Sequence, residues 1–237
     1  MTNTFAQTNL QLYCQMRQAG FSKHDIQIVQ QDYATAILLF FNKLRSTGRP
    51  FLCHAVGTAS VALADGADLL LVRVALLHAA YKHGRFHDHK NGLSDVHRAW
   101  LRERTSDEVE QLIINFGQFP FNIDTVRPRL DDPASIPDAE RNLWFLKICN
   151  EVDDSADFAA QLGHKPRYQN PQWLPAVAEL AGRLGFKESQ TALALASEQM
   201  SDVDWLDKEL VMPKIGHRHN ELSAAWRKYV RRLPPAR

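Results

Sequence analysis

The sequence predicts an all-α protein. Three observations carry that reading. Apolar residues recur at helical spacing in successive segments, glycine and proline punctuate the intervals, and no stretch of convincing length alternates with the period of a strand. The chain has 237 residues, 45% of them hydrophobic, enough to bury a sizeable core.

The elements follow in order. Leu10, Tyr13, Cys14 and Arg17 begin a helix that Gly20 ends. Ser22 then reads as an N-cap with Asp25 three residues on, a near capping box. The next helix carries Ile26, Val29, Tyr33, Ile37 and Phe40 on one face. Ser46 to Pro50 reads as a loop. A helix beginning near His54 places His54, Thr58 and Val61 together, and a turn at Asp65-Gly66 leads to an apolar helix ending at His78. Leu71, Val74, Ala75 and His78 share a face of that helix. A histidine-rich loop with His83, His87 and His89 follows. Helices are expected over Asp95–Arg104 and Ser106–Phe116, the latter capped by Ser106. Frequent prolines over Phe119–Asp138 suggest a long surface connection.

A strong helix is expected over Ala139–Gln161. Its apolar stripe is Phe145, Ile148, Cys149, Val152, Ala156 and Ala159, with Asn150, Asp153 and Asp157 on one flank and Lys147 and Glu151 paired on the outer face. Gly163 to Pro166 breaks the chain. Two short helices separated at Gly185 follow within 171–200, then an amphipathic tail helix near 219–232. The expected division is a helical domain over 1–164 with a helical extension, 165–237, packed on it.

Lys and Arg number 28 against 27 Asp and Glu, a net charge of +1, so nothing calls for nucleic acid or an anionic membrane. The basic run Arg227, Lys228, Arg231 and Arg232 reads as a solvated helix end. Cys14, Cys53 and Cys149 have no CxxC spacing, which predicts reduced thiols in a cytoplasmic protein. No secretory signal is expected at the start, and no apolar run approaches the roughly 20 residues of a membrane span. Homo-oligomerisation is left open.

The stretch from Arg45 to Phe86 organises the chemistry. It puts one histidine at the start of a helix and another at the end of the next. Antiparallel helices joined by a tight turn bring those ends together. Neutral imidazole is a common metal ligand, but a tight site needs three or four ligands. Asn150, Asp153 and Asp157 lie on the obvious third helix. The plainer alternatives are a helix-start histidine at 54, a core histidine at 78, a solvated loop for His83, His87 and His89, and a solvated acidic face at Asp153, Asp154 and Asp157. Arg45 and Arg49 read either as phosphate-binding guanidinium groups or as surface charge. Tyr81 reads as a packing aromatic with a wet hydroxyl.

The order Arg45, Gly48, Pro50, His54, then an apolar helix ending Ala75-Leu76-Leu77-His78, resembles the HD-domain superfamily, and within it the guanosine tetraphosphate hydrolase domain. The later segment Lys147–Asp154 is similar to that domain's acidic helix. The resemblance covers about residues 30–160. It implies an HD-like helical bundle, a divalent metal (Mn, Fe or Zn) held by His54, His78 and Asn150, and hydrolysis of a small phosphorylated molecule or nucleotide. It implies catalytic roles for His54, His78 and His83. Ligand contacts fall to Arg45, Arg49, Tyr81, Lys147 and Asp154.

The chain departs from the family pattern. Ala79 stands where an aspartate follows the second histidine, Asn150 replaces the distant aspartate, and Lys82 and His83 fall near the place of an acidic pair. These departures leave a catalytically inactive, ligand-binding or regulatory HD-like module as the alternative, with an HD-type iron oxygenase behind it. The string Gly57-Thr58-Ala59-Ser60, with Leu76-Leu77-His78-Ala79-Ala80-Tyr81 and then His83, Gly84 and Phe86, is also similar to an HD-like group in which a small residue and then a tyrosine follow the histidine.

Overall fold

The structure is a computed structural model that describes residues 5–45, 49–156 and 166–200. Helices α1 (Asn9–Gln18), α2 (Lys23–Phe40), α3 (Phe51–Ala64) and α4 (Leu69–Leu77) are followed by a short α5 (Ala80–His83). Then come α6 (Asp95–Arg102), α7 (Asp107–Gln118), α8 (Ile123–Asp131) and α9 (Asp138–Ser155), and finally α10 (Trp173–Arg183) and α11 (Lys187–Met200). The described residues contain no strand, only an isolated bridge between Leu44 and Pro50. None of their helices is long and apolar enough to cross a membrane.

Local chemistry sets the helix starts. Ser22 accepts from the Asp25 amide at 3.1 Å while Asp25 accepts from the Ser22 amide at 2.9 Å, the expected capping box. Asp68 and Ser106 cap α4 and α7 without a reciprocal box, accepting from the Leu71 and Val109 amides. Gly20, at φ +90°, turns the chain after α1 in the left-handed region that a side chain disfavours.

The core is built around α3, which packs on α4, α9 and α1, while α4 packs on α2 and α7. A buried ion pair ties α2 to α4: Arg73 donates from Nε to Asp32 at 2.6 Å. It sets α4, and therefore His78, against its neighbours. The hairpin of α10 and α11 packs on α8 and α9. Asp65, at the end of α3, accepts from the backbone amides of Glu188 and Ser189 at 2.9 and 3.0 Å. The third helix thus caps α11 from a distance.

Several expectations are corrected. α3 starts at Phe51, so His54 lies within its first turn instead of opening it. The proline-rich connection is not structureless, because Asn122 and Thr125 form a capping box that starts α8, and Val126 is buried. α9 ends at Ser155, and Ala156, expected on the apolar stripe, is exposed just beyond it. Lys147 and Glu151 do not pair on an outer face. α9 is covered on two sides, by α3, α4 and α7 and by α10 and α11, so Glu151 is fully buried. Asp157, Ala159, the boundary at 164/165, the basic run and the tail helix lie outside the described residues.

Candidate functional site

The antiparallel α3–α4 pair delivers the two histidines to the floor of a cavity of about 840 Å³. His54 projects from the first turn of α3 and His78 from the C-cap of α4, and both are buried. Their Nε2 atoms lie 3.3 Å apart, with the rings edge-on at 84°. Each Nδ1 already has a partner. His78 Nδ1 is 2.7 Å from the carbonyl oxygen of Ala75, which can only accept, so Nδ1 carries the proton. His54 Nδ1 is 2.6 Å from Oδ2 of Asp153. Asp153 also accepts two bonds of 2.9 Å from Arg49, as an ionised carboxylate does, so the same tautomer follows for His54.

Both Nε2 atoms therefore present lone pairs to each other. Burial, then the Arg45 guanidinium, pushes the His54 imidazole below its usual pKa, against the pull of Asp153 and Asp154. Burial and then His54 push His78 well below its own. Neither ring readily supplies a proton to the gap, so the pair is suited to a cation. Two bonds of about 2.0–2.1 Å meeting near the tetrahedral angle would separate their nitrogens by about 3.3–3.4 Å. The anchored Nδ1 protons are the usual outer support of metal-binding histidines. Two nitrogens fit one ion, with further positions left to oxygen donors. Among the described residues no group of three or more His, Cys, Asp or Glu side chains is arranged around a common ion position.

The cavity wall around the pair combines cationic and aromatic side chains. Lys43, Arg45, Lys82, Lys147 and Arg167 line it, as do Phe51, Phe116, Phe119 and Phe121. Lys147 Nζ sits 4.0 Å from the centroid of the Phe116 ring, whose edge meets His78. Burial, helped by Lys82 and Arg167, brings the Lys147 ammonium down to about 8. His83 also lines the cavity, from a position still open to solvent, and partial burial, then Lys82 and Lys43, lower its imidazole below the usual value. Its carbonyl oxygen accepts from Lys43.

Asp154 is the one acidic side chain on the wall among the described residues. It accepts from Arg45, and from Arg167 at 2.6 Å, and Asn150 Nδ2 stands 3.5 Å away. Arg167 also meets the buried Glu151 at 2.9 Å, and Trp173 donates its indole N–H to Glu151 at 2.8 Å. Burial raises the Glu151 pKa, and Arg167 opposes that rise.

No family model matches this chain, and no curated protein matches it.

Of the residues singled out from the sequence, His54, His78, His83, Arg45, Lys147, Asn150 and Asp154 share the cavity. Arg49 stands behind it, clamping Asp153. Tyr81 is not on the wall. Its hydroxyl is not wet but donates to Glu110 at 2.6 Å in the core, beside Arg98 and Arg102. His87 and His89 also lie off the wall. Asp153 is buried, not part of a solvated face.

Sequence reasoning gave Gly57 no structural role. A Cβ there would lie 1.8 Å from Asp153 Oδ1, so only glycine lets the carboxylate reach His54. A glycine inside a strongly apolar helix was the available signal. Arg167 carried no local signal, since it reaches the site from a 3₁₀ turn, Pro166–Gln169.

Proposed function

We propose that this chain is an HD-like hydrolase that binds a small phosphorylated molecule in the cavity, with one divalent ion held by Nε2 of His54 and His78. The observation that carries the reading is the pair of buried imidazoles, anchored at Nδ1 and facing each other through acceptor nitrogens 3.3 Å apart beneath a cationic wall. Such an ion would be Mn, Fe or Zn, with Asn150, which lines the cavity from α9, as a neutral oxygen donor. When bound it supplies a Lewis acid for a phosphoryl oxygen and a bound water of lowered pKa.

The chain's own residues do the rest. Arg45, Lys82 and Lys147 bind and orient the phosphoryl group, and Phe116, Phe119 and Phe121 receive the organic part and exclude water. Asp153, clamped by Arg49, holds the His54 proton on Nδ1. His83, uncharged at neutral pH, can accept a proton at the cavity edge.

A specific observation favours a second reading, a catalytically inactive module that binds the same ligand. Both acids next to the histidines are matched to arginines, Asp153 to Arg49 and Asp154 to Arg45 and Arg167. Elemental analysis of untagged protein, beside His54→Ala, separates the two. About one metal per chain, lost in the variant, together with phosphatase activity on a phosphate-ester panel, supports the hydrolase. No metal after incubation with Mn, Fe or Zn, with phosphorylated compounds still bound, supports the binding module.

A further inference from the structure

Asp154 is out of character with its surroundings. Its neighbours on the wall are Lys43, Arg45, Lys82, Lys147 and Arg167, and the described part of the wall holds no other acid. Its carboxylate is nearly fully buried and bridges two guanidinium groups from separate parts of the chain. Arg45 comes from the loop before α3, and Arg167 from the turn after α9. A phosphoryl group would approach that bridge in the same way, one oxygen to each guanidinium.

Two details show that the carboxylate does not saturate the bridge. Arg45 Nη1 is buried without a hydrogen-bond partner among the described residues, 3.9 Å from Asp153 Oδ2. Asp153 is already engaged by Arg49 and His54. Lys82 and Lys147 form no ion pair among the described residues, so the wall stays net positive even with Asp154 in place and Glu151 behind Arg167. A group with three oxygens and nearly two negative charges would satisfy these donors better than one carboxylate does.

We propose that the bridge between Arg45 and Arg167 is a phosphoryl-binding seat, and that Asp154 occupies it as a built-in competitor until a phosphorylated ligand displaces its side chain. The proposal rests on the reading that the cavity takes a phosphorylated molecule. The displaced carboxylate starts 3.9 Å from His54 Nδ1, so ligand entry would also change the charge beside the histidine pair.

Asp154→Asn tests this through the sign of its effect. An acid that merely orients the arginines would weaken anion binding when removed. A competitor would strengthen it, by about tenfold if the carboxylate fills the seat for nine-tenths of the time. Pyrophosphate binding to the untagged full chain is measured by calorimetry for the wild type and for Asp154→Asn. Tighter binding by the variant is the expected result, including the case in which only the variant binds. Equal or weaker binding by a variant that melts like the wild type overturns the competitor and leaves the phosphorylated-ligand reading standing. Binding by neither protein removes both.

If the variant does not fold, a crystal structure of the wild type with pyrophosphate decides. An anion between Arg45 and Arg167 with Asp154 turned away supports the proposal. An anion elsewhere in the cavity with Asp154 unmoved, or an empty cavity at saturating pyrophosphate, overturns it.

Discussion

Gly57→Ala reverses the effect that helix propensity alone would give. Glycine inside a helix costs about 0.5–1 kcal/mol relative to alanine, so on propensity the substitution should stabilise α3. The packing says otherwise. The new Cβ would lie 1.8 Å from Oδ1 and 2.7 Å from Cγ of Asp153, and 3.1 Å from Nη2 of Arg49. To reach an ordinary closest contact of about 3.0 Å the carboxylate must retreat by roughly 1.2 Å, in a core where overpacking alone costs about 1–3 kcal/mol. That retreat cannot keep both the 2.6 Å bond to His54 and the 2.9 Å bonds to Arg49. Disrupting a buried ion pair costs up to about 3–5 kcal/mol. After the propensity gain, the net loss is about 2–4 kcal/mol, and for a chain of this length the melting temperature falls by about 5–15 °C. Thermal unfolding followed by circular dichroism reads this directly. Gly182→Ala serves as the control, since its Cβ would meet only the end of the flexible Gln190 side chain. A Gly57→Ala protein that melts at or above the wild type would refute the close approach of Asp153 to α3.

Three further outcomes are expected. Lys147, at about 8 in the folded protein against an ordinary 10.5, is charged at neutral pH at a cost. The unfolded chain binds the extra proton between those values, so the contribution of Lys147 to stability should rise from pH 8 to 10.5 by up to about 3 kcal/mol, set against the opposite pull of the buried Cys149 thiol and Tyr168 hydroxyl. The stability difference between wild type and Lys147→Met, read from urea unfolding across that range, should shift toward the wild type by that amount, and no shift would remove Lys147 from the buried wall. His54 and His78 are both held below 6.5, so the unfolded chain protonates first and stability is lost as pH falls below 6.5. His78→Ala should lower stability at pH 7 by about 2–4 kcal/mol through the vacated space and the lost Ala75 bond, and should flatten the acid slope. A variant with unchanged melting and an unchanged acid limb would remove His78 from the buried pair. Tyr81→Phe should cost about 1–2 kcal/mol of stability through the lost donor to Glu110 and leave metal content and pyrophosphate binding unchanged. Loss of binding without loss of stability would return Tyr81 to the site.

The legible parts of the site were those that one hairpin dictates. His54 and His78 are 24 residues apart, and two short helices with a tight turn leave little freedom in where their ends meet. Cap chemistry was equally local, as at Ser22 and Ser106. The errors came from α9. Reading a single apolar stripe assumes one buried face, whereas α9 is enclosed on two sides. Glu151 and Asp153 are polar residues on buried faces, kept there by partners that the local pattern does not announce: Arg167 and Trp173 for one, Arg49 and His54 for the other. Tyr81 was misread for the same reason, because Glu110 reaches it from another helix.

The distance along the chain between the histidines and their carboxylates has a kinetic consequence. The His54–His78 contact closes a short loop, but Asp153 reaches His54 across 99 residues and Asp154 reaches Arg45 across 109. The longer closure costs only about 1 kcal/mol more in chain entropy, yet such non-local contacts form late in folding. Until α9 docks, His54 has no acceptor at Nδ1 and its two tautomers compete. A growing chain that has not yet extended past Asp154 holds both histidines without the proton arrangement that makes them a site, so the pair acquires its chemistry only once α9 has docked.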